Sequence, residues 1–261
     1  MIYTPDSNDL SGKKRFIDHL EDFRKTILKI AVVISACFVI CFYFSPQILH
    51  FLKLPLVKAI QASIQNHPVD EILRSLNPTG SFIMATKIAF IAGLALSFPL
   101  LFYFIASFLI PALTKQEKRY LAPVLITSCF LFICGLIFCY FIVLPLMLNF
   151  LWNFSRWMGI INDWTLEYYV GFVTQTLIMF GLAFETPVFI GGLVLLNLLS
   201  YKLLKSKRRH AIVIIFIIAA IVTPPDVMSQ LLIAIPLVIL YEISIWEAYF
   251  IERKQASYLA G

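Results

Sequence analysis

The sequence predicts an all-α membrane protein with six transmembrane helices, both termini cytoplasmic, and a short fifth and sixth helix. Three observations carry that reading. Of 261 residues, 60% are apolar and only 14% are charged. A soluble domain carries about 25% charged residues, so there is too little charge here to cover a water-facing surface. Apolar runs also recur along the whole chain, and Lys and Arg are concentrated in alternate connections between them.

Residues 1–12 read as a flexible tail and 13–261 as a single membrane domain. Over 13–29, Phe16, Leu20, Phe23 and Ile27 recur at helical spacing, and Lys14, Asp18, Glu21, Asp22 and Lys25 fall elsewhere around the helix. Such a segment lies along a membrane surface and feeds the first span, 28–46. A polar stretch over 47–80 contains Pro55, Pro68 and Pro78. The second span, 82–107, is charge-free from Ile88 onward, and the loop 111–119 after it holds Lys115, Glu117, Lys118 and Arg119. The third span, 121–150, lies in a charge-free run where Pro145 is expected to bend the helix or end its regular part. The fourth, 168–197, contains Glu185, and a basic loop from Lys202 to Arg209 follows. The fifth, 210–222, is about 20 Å long at 1.5 Å per residue, short of a hydrocarbon core of roughly 30 Å. The sixth, 225–246, is interrupted by Pro236.

Between the last two spans stands Thr223-Pro224-Pro225-Asp226. Thr223 suits the cap of the sixth helix, Pro224 its first position, and Asp226 the reciprocal place of a capping box. A rigid hairpin is expected there. Orientation follows from the basic residues. The N-terminal segment, the 111–119 loop, the 200–209 loop and the C-terminal tail hold 16 of the 21 Lys and Arg. These connections share the cytoplasmic side, which requires an even number of spans.

Several function classes have no support. The five cysteines all lie in apolar runs and read as packing residues. The histidines are scattered, and no phosphate loop, nucleophile elbow or paired His on one helix face appears. The chain therefore predicts no enzyme, no metal and no cofactor. Its formal charge of +6 is spread over separate connections, whereas a nucleic-acid partner needs it gathered on one face.

The candidate functional residues are acidic. Glu185 is the ionisable residue well inside the fourth span, and a carboxyl there is costly unless it faces protein, water or a partner. Thr174 stands three turns earlier on the same face. Pro187 frees a backbone carbonyl near Glu185, so the three predict a polar, kinked notch. Pairing of Glu185 with another span of the same chain is the plainer alternative. Glu21, Asp22 and Arg24 on the surface helix, and Glu117 in the tight loop, read either as solvated charge or as carboxylates able to grip a pair of guanidinium groups. Glu242 reads as a structural ion-pair partner and Asp226 as a helix cap.

These residues carry a resemblance. His19-Leu20-Glu21-Asp22-Phe23-Arg24 resembles the N-terminal His-Leu-x-Glu-Leu-Arg signature of the TatC family, with Asp22 at the place of the usual Glu. Phe108-Leu109-Ile110-Pro111-Ala112-Leu113 followed by Glu117 resembles the family's first cytoplasmic loop. Phe184-Glu185-Thr186-Pro187 resembles its Phe-Glu-x-Pro, and Thr223-Pro224-Pro225-Asp226 its last outer turn. Leu54-Pro55-Leu56 and Leu144-Pro145 also fit.

The resemblance implies a concave, glove-like receptor in the bacterial cytoplasmic membrane that binds twin-arginine signal peptides of folded precursors. Asp22 or Glu21, with Glu117, would receive the arginine pair. TatA- and TatB-type single-span proteins would be its partners in a hetero-oligomer of several copies, with transport driven by the proton-motive force. A proton-coupled small-solute transporter using Glu185 is the competing reading. Such transporters commonly carry internal repeats, and none is visible here.

Overall fold

The computed structural model describes residues 7–61, 73–74, 77–109, 118–160, 164–223 and 226–259. Helix α1, Ser7–Tyr43, is one continuous element. It begins inside the expected tail, and it merges the expected surface helix with the first span. No Gly or Pro occurs between Lys13 and Tyr43, so nothing stops the hydrogen-bond ladder where polarity changes. After Phe44 the chain starts α2, Ser45–Gln61. This helix occupies much of the expected polar stretch, and it is no surface loop, because Leu52 and Leu56 are buried in the core.

Pro55 lies inside α2 and has no N–H to offer the carbonyl four residues earlier, that of Phe51. The structure satisfies that carbonyl from outside: the Tyr140 hydroxyl donates to Phe51 O at 2.8 Å. The Tyr169 hydroxyl donates to the next one, Leu52 O, at 2.7 Å. The Phe51 and Tyr140 rings stack with centroids 4.4 Å apart. Thus α2 is tied to the bundle through two of its backbone carbonyls, one of them freed by Pro55.

Strand β1, Leu73–Arg74, pairs in parallel with β2, Trp164–Thr165, Leu73 lying opposite Trp164. Between them come α3, Gly80–Leu109, and α4, Lys118–Phe138. A π-helical turn, Cys139–Val143, follows α4, and α5, Leu144–Trp157, follows the turn. The π-turn has an identifiable cause. Pro145 cannot donate to the Phe141 carbonyl, and the ladder instead widens, with the Leu144 N–H reaching Cys139 O. The regular α pattern ends where Pro145 predicts, yet the rod continues.

The fourth span is split into α6, Leu166–Phe184, and α7, Thr186–Leu195, by a break at Glu185. Helix α7 ends in a left-handed residue, Asn197, at φ 57°. The Asn197 and Leu198 N–H groups close the last carbonyls, of Val194 and Leu193, and Asn tolerates this conformation better than a bulky residue does. Short α8, Tyr201–Ser206, is capped by the Ser200 side chain, and leads into α9, Arg208–Val222. Helix α10, Val227–Leu259, runs through Pro236 without interruption. Packing against α7 and α9 holds it together across the missing bond, as is common for proline in membrane helices.

Among the described residues, five helical segments are long and apolar enough to cross a membrane: Leu20–Tyr43, Gly80–Phe108, Ala122–Trp157, Leu166–Leu195 and Val227–Gln255. The expected fifth span is α9, whose 15 residues make about 22 Å and fall short of that measure. The main core forms where α2, α5, α6 and α10 meet, around Leu56, Leu144, Leu148, Val173 and Ile233. A smaller one, with Ile190, Val194, Leu204 and Ile245, joins α7, α8 and α10.

Candidate functional site

The break at Glu185 follows from the next residues. With Pro187 lacking an N–H, the Ala183 carbonyl loses its helical partner. The Glu185 N–H tightens onto Leu182 O at 3.1 Å, and α7 restarts with Phe189 N–H donating to Glu185 O at 2.9 Å. Two glycines bring α4 against this hinge. A Cβ on Gly135 would stand 2.7 Å from Phe180 O, and one on Gly181 would stand 2.7 Å from the Phe132 ring. Such close approach through small residues is how membrane helices gain packing. It carries Ser128, fully buried, to Glu185, where its hydroxyl donates to Oε2 at 2.5 Å. The other oxygen, Oε1, is buried without a hydrogen-bond partner.

Glu185 is therefore both paired within the chain and half unsatisfied. Thr174 does not share its notch. It stands eleven residues earlier, about 16 Å along a helix, and its hydroxyl is spent on Val170 O at 2.6 Å. The kinked notch consists of Glu185, buried Pro187 and Ser128. Ser128 gave no signal in the sequence, since a serine in an apolar run has no spacing that names its partner.

On α1, Glu21, Asp22 and Arg24 are exposed. The Lys25 ammonium stands 2.9 Å from Glu21 Oε1, so that carboxylate already has a cation beside it. Among the described residues no ion pair forms at Asp22; the Thr26 hydroxyl bonds its backbone carbonyl at 2.8 Å. Between them Phe23 lies against Phe108, with ring centroids 5.6 Å apart. This contact fixes the acidic segment beside the end of α3, where the chain leaves for the 110–117 segment. Glu117 itself lies outside the described residues.

The last turn has a different cap from the expected one. Thr223 Oγ1 donates back to Ala219 O at 2.9 Å, which finishes α9. The cap of α10 is Asp226, whose Oδ1 accepts the Ser229 N–H at 2.7 Å. The Gln230 amide then reaches back to Phe216 O at 3.0 Å and ties the two helices together. Pro224 and Pro225 lie outside the described residues.

Two further carboxylates complete this half of the molecule. Glu242 pairs with Arg208 at 2.7 Å, the structural role its position suggests. Glu247, which the sequence did not single out, rests against α7 where Gly191 leaves room. A Cβ on Gly191 would come within 2.7 Å of Glu247 Oε1.

Comparison with known proteins gives a consistent result. A family model described as Sec-independent protein translocase protein (TatC) matches residues 18–236. A Sec-independent protein translocase protein TatC from Akkermansia muciniphila is 44% identical over 188 residues, which is 72% of this chain and 54% of that protein. The chain thus aligns with just over half the length of that relative. Its counterpart in Escherichia coli K12 is 33% identical over 238 residues, 91% of this chain and 89% of the relative. A crystal structure of the twin arginine translocase receptor TatC superposes with a TM-score of 0.79 at 34% identity, covering 90% of this chain and 99% of that one.

Proposed function

The chain belongs to the TatC family of Sec-independent protein translocase proteins, and from that premise we propose that it is the membrane receptor for twin-arginine signal peptides. The observation that supports this most directly is the Phe23–Phe108 contact. It sets Asp22 beside the end of α3, from which the segment bearing Glu117 departs. In this reading Asp22 and Glu117 together receive two adjacent guanidinium groups, each suited to bidentate pairing with a carboxylate. Asp22 is the better candidate than Glu21, because Lys25 already neutralises Glu21.

In this reading the protein has six spans, α9 being the short one, and its termini and the 110–117 segment face the cytoplasm. The helices enclose a concave, glove-like surface in the bacterial cytoplasmic membrane. The peptide's apolar stretch enters towards Glu185, whose unpartnered Oε1 offers a polar contact to a single-span TatA- or TatB-type helix. The chain performs no chemistry of its own, and the work of transport comes from the proton-motive force. Photo-crosslinking from residue 117 to an Arg-Arg signal peptide tests the site. Strong capture that disappears with a Lys-Lys peptide, and with Glu117→Gln, supports it. Equal capture of both peptides overturns it.

A further inference from the structure

Beneath α2 lies a cavity of about 250 Å³, walled by α3, the junction of α4 with the π-turn, and α6. Its lining is mostly apolar and includes Phe51, Ile88, Ala92, Ala95, Ile137 and Ile178. Two polar side chains reach it, and neither is available to a guest. The Tyr140 hydroxyl is committed to Phe51 O, and that of Thr174 to Val170 O. A water needs two to four polar partners, so a void lined this way stays dry and suits hydrocarbon.

Two cations stand beside it. Lys58 Nζ lies 5.6 Å from the centre of the Phe141 ring, and that ring is part of the cavity wall. Lys87 is exposed on α3, one turn before the lining residue Ile91 and on the same face. Among the described residues neither forms an ion pair with a carboxylate. Both belong to the few basic residues outside the cytoplasmic clusters, so anchoring at the cytoplasmic face does not account for them. A long Lys stem can lie along apolar surface while its ammonium reaches the headgroup level.

We propose that this cavity seats one acyl chain of an anionic phospholipid, with Lys58 and Lys87 holding its phosphate and α2 lying across the chain as a clasp. The proposal rests on the chain's being in a bilayer and not on its receptor role. The full-length protein is reconstituted in nanodiscs containing equal mole fractions of phosphatidylglycerol and phosphatidylcholine. A trace of either lipid carries a photoactivatable diazirine on one acyl chain, and labelled peptides are identified by mass spectrometry. The phosphatidylglycerol probe labels the peptides around Ala92–Ala95 and Ile137 well above the phosphatidylcholine probe. Replacing both lysines, K58Q with K87Q, lowers that labelling by about fivefold, to the phosphatidylcholine level. A95F fills the cavity and abolishes labelling by both probes there. The lysine changes lie on the surface and leave the fold intact, so they decide the matter even if A95F disturbs folding. Equal labelling of these peptides by the two probes, or indifference of that labelling to the lysine changes, overturns the proposal. So does displacement of the label by a stoichiometric twin-arginine peptide, which would give the cavity to the peptide. Glu117→Gln leaves lipid labelling unchanged, which separates failure of this inference from failure of the receptor reading.

Discussion

Helix α1 and the rod from Ala122 to Trp157 have similar hydropathy, yet only 6% of the α1 window is buried inside the protein against 44% of the rod's. The rod touches α2, α3, α6 and α7, while α1 rests mainly on α3. Apolar character therefore has two uses here. In the rod it makes packing within the protein, and in α1 it stays largely outside the core, with Glu21, Asp22 and Arg24 exposed on the same helix. The element that organises the fold and the element that presents the candidate site are different helices.

The sharpest break of this contrast comes from adding bulk to each. Gly135→Leu drives side-chain atoms into Phe180 O and Phe184 and costs about 3 kcal/mol, read as a large fall in thermal unfolding temperature in detergent. Ala31→Leu, on the exposed side of α1, stays within about 0.5 kcal/mol of the parent. A similar loss from both would mean that α1 is as tightly packed as the rod. Ser128→Ala comes next. It removes the donor to Glu185 Oε2 and costs about 2 kcal/mol, the range for a bond to an ionisable partner, with Ser128→Thr recovering part of it. Tyr169→Phe removes the side-chain bond to the Leu52 carbonyl and costs about 1 kcal/mol. Faster amide hydrogen exchange confined to α2 is its local signature, and uniform acceleration through the bundle would speak against the clasp. Smallest in stability is Asp22→Asn, which leaves the unfolding temperature unchanged. Binding of an Arg-Arg peptide nevertheless falls about tenfold, the size of losing a charge-assisted pair. Glu21→Gln produces a lesser fall, since that carboxylate is shared with Lys25. If Glu21→Gln has the greater effect, the assignment of Asp22 is wrong.

The membrane class and the long helices were legible in the sequence because hydropathy over about 20 residues is a local quantity. Helix α2 was not, for the same reason. Its 17 residues include two lysines, a histidine and Pro55, so its average polarity resembles a loop, although Leu52 and Leu56 stand at core spacing. What makes it a helix in place is tertiary: two tyrosine hydroxyls meeting the carbonyls of Phe51 and Leu52. Pro236 misled in the opposite direction, because neighbours compensate for a missing N–H that the local chain cannot. At the site, Glu185 and Pro187 announced the hinge through cost and geometry. Ser128 lies 57 residues away in sequence, and Thr174 shared a helical face with Glu185 without sharing its surroundings. Spacing along one helix gives direction but not depth, and it says nothing about the helix opposite.

The hydroxyl bond from Tyr169 to Leu52 joins residues 117 positions apart, and the Leu73–Trp164 ladder likewise links the two halves of the chain. During synthesis α2 therefore emerges before Tyr140 and Tyr169, the side chains that bond its Phe51 and Leu52 carbonyls. The bond that ties α2 to α6 closes only when Tyr169 arrives, so the final seating of α2 is a late event in the birth of the molecule.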